Sequence, residues 1–361
     1  LAVGNAHVAA LHATGDARWP ARLGVAVRGA WTLAALALLA GRWHPLWIVA
    51  ALVLAETSRL LLLHRRSVRR IGAPSARGAF VWTRAWGAAT ASLAVFVNYL
   101  AHNLYARLGT WTLGAAATPD AVAWYASAAN VAALALLGMP LVTWILLPSA
   151  AGASRTGQGR DAMIVAALRA ALLGAVPVAG AIVWGATPLV ALLFGAEFAP
   201  AVGALQALAP TIALAYLSTI AAVALLERRR ERAVAGVSLG GLVLAAVLTI
   251  VLVHRATEDH AASAAVAMLG TEVLVTAAML ALAWRPTWTR PVLRTLGGVA
   301  VAGLVALVVD GVASQFGAGL LVRGTLLAIT YGMSLPLVGA VGSADLAFLR
   351  TVLRRPAPDA I

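Results

Sequence analysis

Arginine marks every second connection between about ten apolar stretches of this chain, each near the ~20 residues that a helix needs to cross a bilayer. The stretches fall near 24–41, 45–63, 80–101, 122–147, 164–194, 204–226, 233–253, 261–284, 291–309 and 318–341. Arg18 and Arg22 precede the first. Arg65, Arg66, Arg69, Arg70 and Arg77 follow the second, and Arg155 and Arg160 the fourth. Arg228, Arg229, Arg230 and Arg232 follow the sixth, Arg285, Arg290 and Arg294 the eighth, and Arg350, Arg354 and Arg355 the tenth. The intervening connections hold only Arg42, Arg107 and Arg255. Arginine resists translocation, so the rich side is expected in the cytoplasm, with both chain ends on it. The expected fold is all-α: a polytopic transmembrane helix bundle with short connections.

Composition narrows the chemistry. The chain is 62% hydrophobic and only 11% charged, with a mean hydropathy of +0.90. All 27 basic residues are arginine, which removes both the phosphate-loop lysine and Schiff-base chemistry. With no cysteine there is no disulfide and no thiolate metal site. A net charge of +14 would suggest nucleic acid in a soluble protein. Here the charge sits at membrane edges, and the expected partners are anionic lipid headgroups. No charged segment and cleavage site precede the first span, so no signal peptide is expected. Leu1 reads as an internal point of a longer protein.

Two stretches share a layout. In one, residues 9–22 lead into an apolar span, a short turn, then Ala55-Glu56-Thr57 and a basic exit at Arg65-Arg66. In the other, residues 224–232 lead into an apolar span, a turn, then Gly270-Thr271-Glu272 and a basic exit at Arg285. Such pseudo-repeats are common in secondary transporters, whose halves rock about a central site. Residues 80–284 would then form a six-helix lobe. Residues 1–79 would close a truncated N-terminal lobe lacking its first four helices, and 285–361 would add two helices and a basic tail.

Several stretches resemble the multidrug/oligosaccharidyl-lipid/polysaccharide exporter superfamily, most closely its polysaccharide-type lipid-linked oligosaccharide flippases. They are Trp124-Tyr125-Ala126-Ser127-Ala128-Ala129, Leu147-Pro148-Ser149-Ala150-Ala151, Leu193-Phe194-Gly195-Ala196-Glu197-Phe198, and the helix-loop-helix at 226–232. These are similar to the family's Tyr-x-x-Ala span, its Pro-bearing span exit and its Leu-Phe-Gly-x-x-Phe outer turn. The resemblance is best between 80 and 285. It implies alternating access, no cofactor, and a lipid-linked anionic saccharide as substrate. Members commonly have 12 or 14 spans and often place an acid at the end of the third span seen here. This chain has His102 and Asn103 there, which departs from cation coupling through that position.

At about 100° per residue, Arg84, Ala88, Ala91, Val95, Asn98 and His102 share one face of the third span, while Trp82, Trp86, Leu93, Val97 and Leu100 share the other. The bulky face suits lipid or packed neighbours. The other is small or polar, interrupted by Val95, and its polar groups need water or partners. Arg84 has two readings: a cavity arginine that forks onto phosphate, or a side chain snorkelling to the headgroups. Asn98 and His102 either line that cavity or bond across helices. Arg28 and Arg59 are further candidate anion ligands, though Arg28, like Arg169, sits where snorkelling also explains it. Glu272, near the middle of its span, needs a partner or a wet cavity, and reads as a coupling acid or a structural one. Glu56 carries the same pair of readings, with Arg59 a ready partner at i+3. Asp310 and Arg323 read as a structural pair, and His254, Glu258, Asp259 and His260 as a solvated loop. Gly236-x-x-x-Gly240 permits close helix approach.

No His-Glu-x-x-His, Asp-x-Asp or nucleotide loop is present, so no enzyme activity is expected. The reading is a flippase. A cation-coupled drug exporter of the same superfamily is the first alternative, and a membrane glycosyltransferase using polyprenyl donors the second. The arginine alternation predicts that a cysteine at Thr257 is labelled from outside the cell and one at Ser67 is not. Labelling at Ser67 with none at Thr257 would overturn the orientation.

Overall fold

The computed structural model describes residues 18–72, 82–138 and 157–341, and part of the segment 4–16. Among these residues the structure is helical throughout, with ten α-helices that match the ten apolar stretches one for one. They are α1 (Arg18–Ala40), α2 (Pro45–Ile71), α3 (Trp82–Ala116), α4 (Pro119–Ala135), α5 (Gly157–Phe194), α6 (Ala201–Glu227), α7 (Glu231–Arg255), α8 (His260–Ala283), α9 (Pro286–Gln315) and α10 (Leu320–Leu337). Eight of them, all but α3 and α4, are long and apolar enough to cross a membrane.

The third helix is longer than its apolar stretch. No proline or cap interrupts residues 102–116, so the helix continues past His102 to Ala116. It ends where Thr118 caps the next helix, accepting from the Ala121 N–H at 3.3 Å with Pro119 in its first turn. Its 35 residues span ~50 Å at ~1.5 Å each, well beyond a ~30 Å hydrocarbon core. The fourth helix ends early, in a 3₁₀ turn at Leu136–Gly138. Residues 139–156, including Pro148 of the expected span exit, lie outside the described residues.

The chain divides into two compact units, one of Leu1–Ala85 with Arg354–Ile361, the other of Trp86–Leu353. In the first, α1 packs on α2. Asp16 receives Arg66 at 2.9 Å, and the Arg66 guanidinium lies 5.6 Å from the Trp19 ring. Glu56 and Arg59 pair at 3.1 Å beside a cavity of about 230 Å³ lined by Val53, Thr57 and Leu63. Ser67 is buried on α2, so exposed Arg69 is the better labelling position on that side.

In the second unit α6 is the most enclosed helix, packed by α4, α5, α7 and α8. Alanine makes this possible. Ala201, Ala204, Ala209 and Ala215 of α6, and Ala261, Ala264, Ala265 and Ala267 of α8, are buried to 5% exposure or less. Without a hydrophobic drive between helices in lipid, such small side chains let backbones approach and gain dispersion contacts. Gly241 serves the same end on α7, since a Cβ there would meet Val275. The Gly236 and Gly240 pair faces open space instead. Large apolar side chains such as Val243, Leu304 and Leu321 point outward, as a lipid solvent requires.

The arginine-rich connections of this unit converge. In the α6–α7 turn, Arg229 adopts φ 58°, and the Arg230 N–H returns to the Leu225 carbonyl at 3.0 Å. Arg228 and Arg230 then donate to the Ala283 and Leu282 carbonyls at the end of α8, at 2.8 and 3.1 Å. These carbonyls lack intrahelical partners, and positive charge complements a helix C-terminus. Arg285 reaches Asp161 at the start of α5 at 2.7 Å. At the opposite end, Asp259 caps α8 through Ala262 N–H at 2.9 Å and lies against Gly203 of α6.

Ala265→Leu should overfill the α6–α8 contact and cost about 1–3 kcal/mol, while Val243→Ala on the outward face changes stability by less than ~0.5 kcal/mol. Thermal unfolding of the purified protein in detergent measures both. Equal transitions would contradict this packing.

Candidate functional site

The second unit holds two apolar clusters separated along the helix axes. One gathers Tyr125, Ala204, Leu205, Ile212, Ala261 and Ala265, and the other Leu168, Ile220, Leu225, Val275, Met279 and Trp288. Between them α8 carries Thr271, Glu272 and Thr276, all buried. Thr271 returns its hydroxyl to Ala267 C=O of its own helix at 2.9 Å, and Thr276 donates to Leu214 C=O of α6 at 3.2 Å. Glu272 is 2% exposed and has no local backbone partner to satisfy it.

Its partner comes from α3. Tyr105 donates its hydroxyl proton to Glu272 Oε1 at 2.6 Å, and that hydroxyl is 2.8 Å from His102 Nδ1. The His102 and Tyr105 rings meet edge to face with centroids 4.8 Å apart. Tyr105 is 3% exposed, whereas His102 is an exposed residue. The row is thus histidine at a surface, tyrosine inside, carboxyl at the centre. About 10 Å back along the same face of α3, at the ~1.5 Å rise per residue, Asn98 Oδ1 accepts from Ser238 Oγ of α7 in a short hydrogen bond. Asn98, His102 and Tyr105 stand at i, i+4 and i+7, one stripe of a helix. On the rest of α3, Trp82, Trp86, Leu93, Phe96 and Leu100 are exposed.

The candidate residues therefore separate. Asn98, His102 and Glu272 belong to the second unit and share one polar layer. Arg28, Glu56 and Arg59 belong to the first. There, Glu56 is committed to Arg59, and Arg28 is exposed and forms no ion pair among the described residues. Arg84 also falls within the first unit, in the opening turn of α3, and its side chain lies outside the described residues. Arg169 has partners within the protein. It donates to Thr295 Oγ1 at 2.8 Å and Ala340 C=O at 3.0 Å, tying α5 to α9 and to the turn that follows α10. Asp310 and Arg323 form the expected pair as a two-point fork at 2.8 Å each, and Trp184 Nε1 donates to the same carboxylate at 3.0 Å. In the α7–α8 turn, His254 and His260 bond backbone carbonyls, and no set of three metal-ligating side chains gathers among the described residues.

Tyr105 is the residue that sequence reasoning missed. Its signal was its place one turn beyond His102 on the polar stripe, past the point where the apolar run stops. Tyr125, from the Tyr-x-x-Ala stretch, packs over Gly109 of α3, where any Cβ would collide with its hydroxyl. That contact seats α4 on the far part of α3.

Among the described residues, eight helices of membrane-spanning length and apolarity, two in the first unit and six in the second, mark a multi-pass α-helical membrane protein. Comparison with protein-family models, curated proteins and solved structures finds no match for this chain.

Tyr105→Phe should leave Glu272 without its donor and destabilise the fold by about 1–3 kcal/mol, the cost of an unsatisfied buried polar group. Tyr99→Phe, at an exposed tyrosine of the same helix, should change little. Thermal unfolding in detergent compares them, and equal losses would show that the Tyr105 bond carries no stability.

Proposed function

We propose that the chain is a secondary flippase. It moves a lipid-linked anionic saccharide, of the polyprenyl diphosphate type, from the cytoplasmic to the outer leaflet of the cytoplasmic membrane. No bond is made or broken, and the mechanism is alternating access between two pseudo-repeated lobes, the first truncated. Both chain ends are cytoplasmic. The observation that carries this reading is the polar face of α3, hydrogen-bonded to α7 and α8 inside an otherwise apolar unit. Intramembrane polar groups are expensive and mark substrate or ion pathways more often than structural needs. The arginine alternation and the resemblance to lipid-linked oligosaccharide flippases support the substrate class. Arg84 is assigned to the diphosphate, because guanidinium matches phosphate oxygens in a two-point fork and stays charged. Asn98 and His102 line the path, and Arg28 and Arg59 attract the headgroup at the membrane edge.

A second reading, a cation-coupled exporter of amphiphilic drugs, is favoured by one observation, the buried Glu272. The substrate separates the two. Liposomes containing the protein flip a lipid-linked diphosphate saccharide in the first case. In the second they accumulate a cationic amphiphile instead.

Arg84→Lys keeps the charge but loses the fork, and should slow flipping at matched protein levels. Arg84→Ala should slow it further. A charge-assisted hydrogen bond contributes ~1.5–3 kcal/mol, a loss of roughly ten- to hundredfold in affinity. Equal rates for wild type and both variants would show Arg84 to be only an interfacial anchor.

A further inference from the structure

We propose that His102, Tyr105 and Glu272 form a proton-loading site, with Glu272 the acceptor, Tyr105 the relay and His102 the entry group. The proposal rests on the transporter reading and names its coupling ion. Three features of the geometry carry it. The contacts are continuous, 2.8 Å from His102 Nδ1 to the Tyr105 hydroxyl and 2.6 Å from there to Glu272 Oε1. Exposure falls along the row, from exposed His102 to Tyr105 at 3% and Glu272 at 2%. The second carboxyl oxygen, Glu272 Oε2, is buried with no hydrogen-bond partner among the described residues. A carboxylate left in that state is costly, and one added proton removes its charge.

A tyrosine hydroxyl has one proton to give and lone pairs to receive another, so it passes a proton on without changing its own state. When His102 is doubly protonated, its Nδ1–H bond breaks as a new O–H bond forms on Tyr105. The original Tyr105 O–H bond breaks as an Oε1–H bond forms on Glu272. The imidazole is left neutral with its proton on Nε2, tyrosine is unchanged, and the carboxylate is neutralised. Reversal discharges the site. Histidine suits the entry because its two ring nitrogens let it take up a proton on one side and release one on the other.

The surroundings contain few competitors. Between its two ends, α7 carries no titratable group. On α6 the candidates are Tyr216, whose hydroxyl donates to Ala135 C=O at 3.2 Å, and Glu227 at the far end. On α4 they are Asp120 in the first turn and Tyr125, packed on Gly109. On α8 only His260, at its start, joins Glu272, and on α3 the neighbours are Tyr99 and Arg107. A sodium ion fits less well, because hard cations take about six oxygen ligands. Here Thr271 and Thr276 are turned to backbone carbonyls.

The test is infrared difference spectroscopy of the protein in lipid, stepped between acidic and alkaline pH, read at the carboxylic C=O stretch. A protonated-carboxyl band should appear on acidification, vanish in Glu272→Gln, shift in frequency in Tyr105→Phe, and titrate over a displaced pH range in His102→Gln. Tyr99→Phe should leave it unchanged. A band that persists in Glu272→Gln, or that ignores Tyr105→Phe, overturns the proposal. So does a carboxylate response to sodium at constant pH without a response to protons. Liposome flipping driven by a pH gradient is the second arm. A titrating Glu272 in a protein that flips no saccharide lipid overturns the flippase reading and leaves the proton site standing. Flipping with a silent Glu272 does the reverse.

Discussion

A carboxyl group at the centre of a membrane bundle needs a donor from the chain itself, and here that donor is Tyr105. The bond joins residues 167 positions apart and brings α3 onto α8. Asn98 and Ser238 repeat the arrangement between α3 and α7. Apolar packing against lipid-like neighbours gives little directional preference, because lipid tails are as apolar as leucine. Polar contacts do discriminate, since a rotated α3 would strand Asn98, Tyr105 and Glu272 in hydrocarbon.

Around that polar layer the unit relies on two other devices. Alanine lines the α6–α8 contact, which brings the backbones close enough for dispersion to compensate for the missing hydrophobic drive. Arginine secures the ends. Arg228 and Arg230 hold the last carbonyls of α8, Arg285 holds Asp161, and Arg169 binds α5 to Thr295 and Ala340. Part of the positive charge that reads as a topology signal is therefore also structural. An arginine that caps a neighbouring helix is doubly bound to its side of the membrane, once by the cost of translocation and once by its contacts.

The helices were legible because span length and arginine placement are properties of the chain's own order. Among the described residues each of the ten apolar runs carries a helix, with ends that differ from those of the run. Helix α3 overran because an apolar window stops at His102, whereas a helix stops only at a cap, here Thr118. Glu272 was legible as a buried acid in need of a partner, and Asn98 and His102 as the polar face of α3. Their joining was not legible, because it depends on how distant helices dock. For the same reason Gly241, not the Gly236 and Gly240 pair, turned out to sit at a close approach. The partners of Arg169, Thr295 and Ala340, were not legible either, because they lie more than a hundred residues further along the chain.

The docking of α3 on α7 and α8 is the claim on which the site depends, and the absence of cysteine makes it directly measurable. Paired cysteines at Asn98 and Ser238, oxidised in native membranes, should form an intramolecular disulfide as efficiently as a control pair at Gly241 and Val275, whose contact joins α7 to α8. Cross-linking of the control pair with none at Asn98 and Ser238 would place α3 elsewhere and contradict the account.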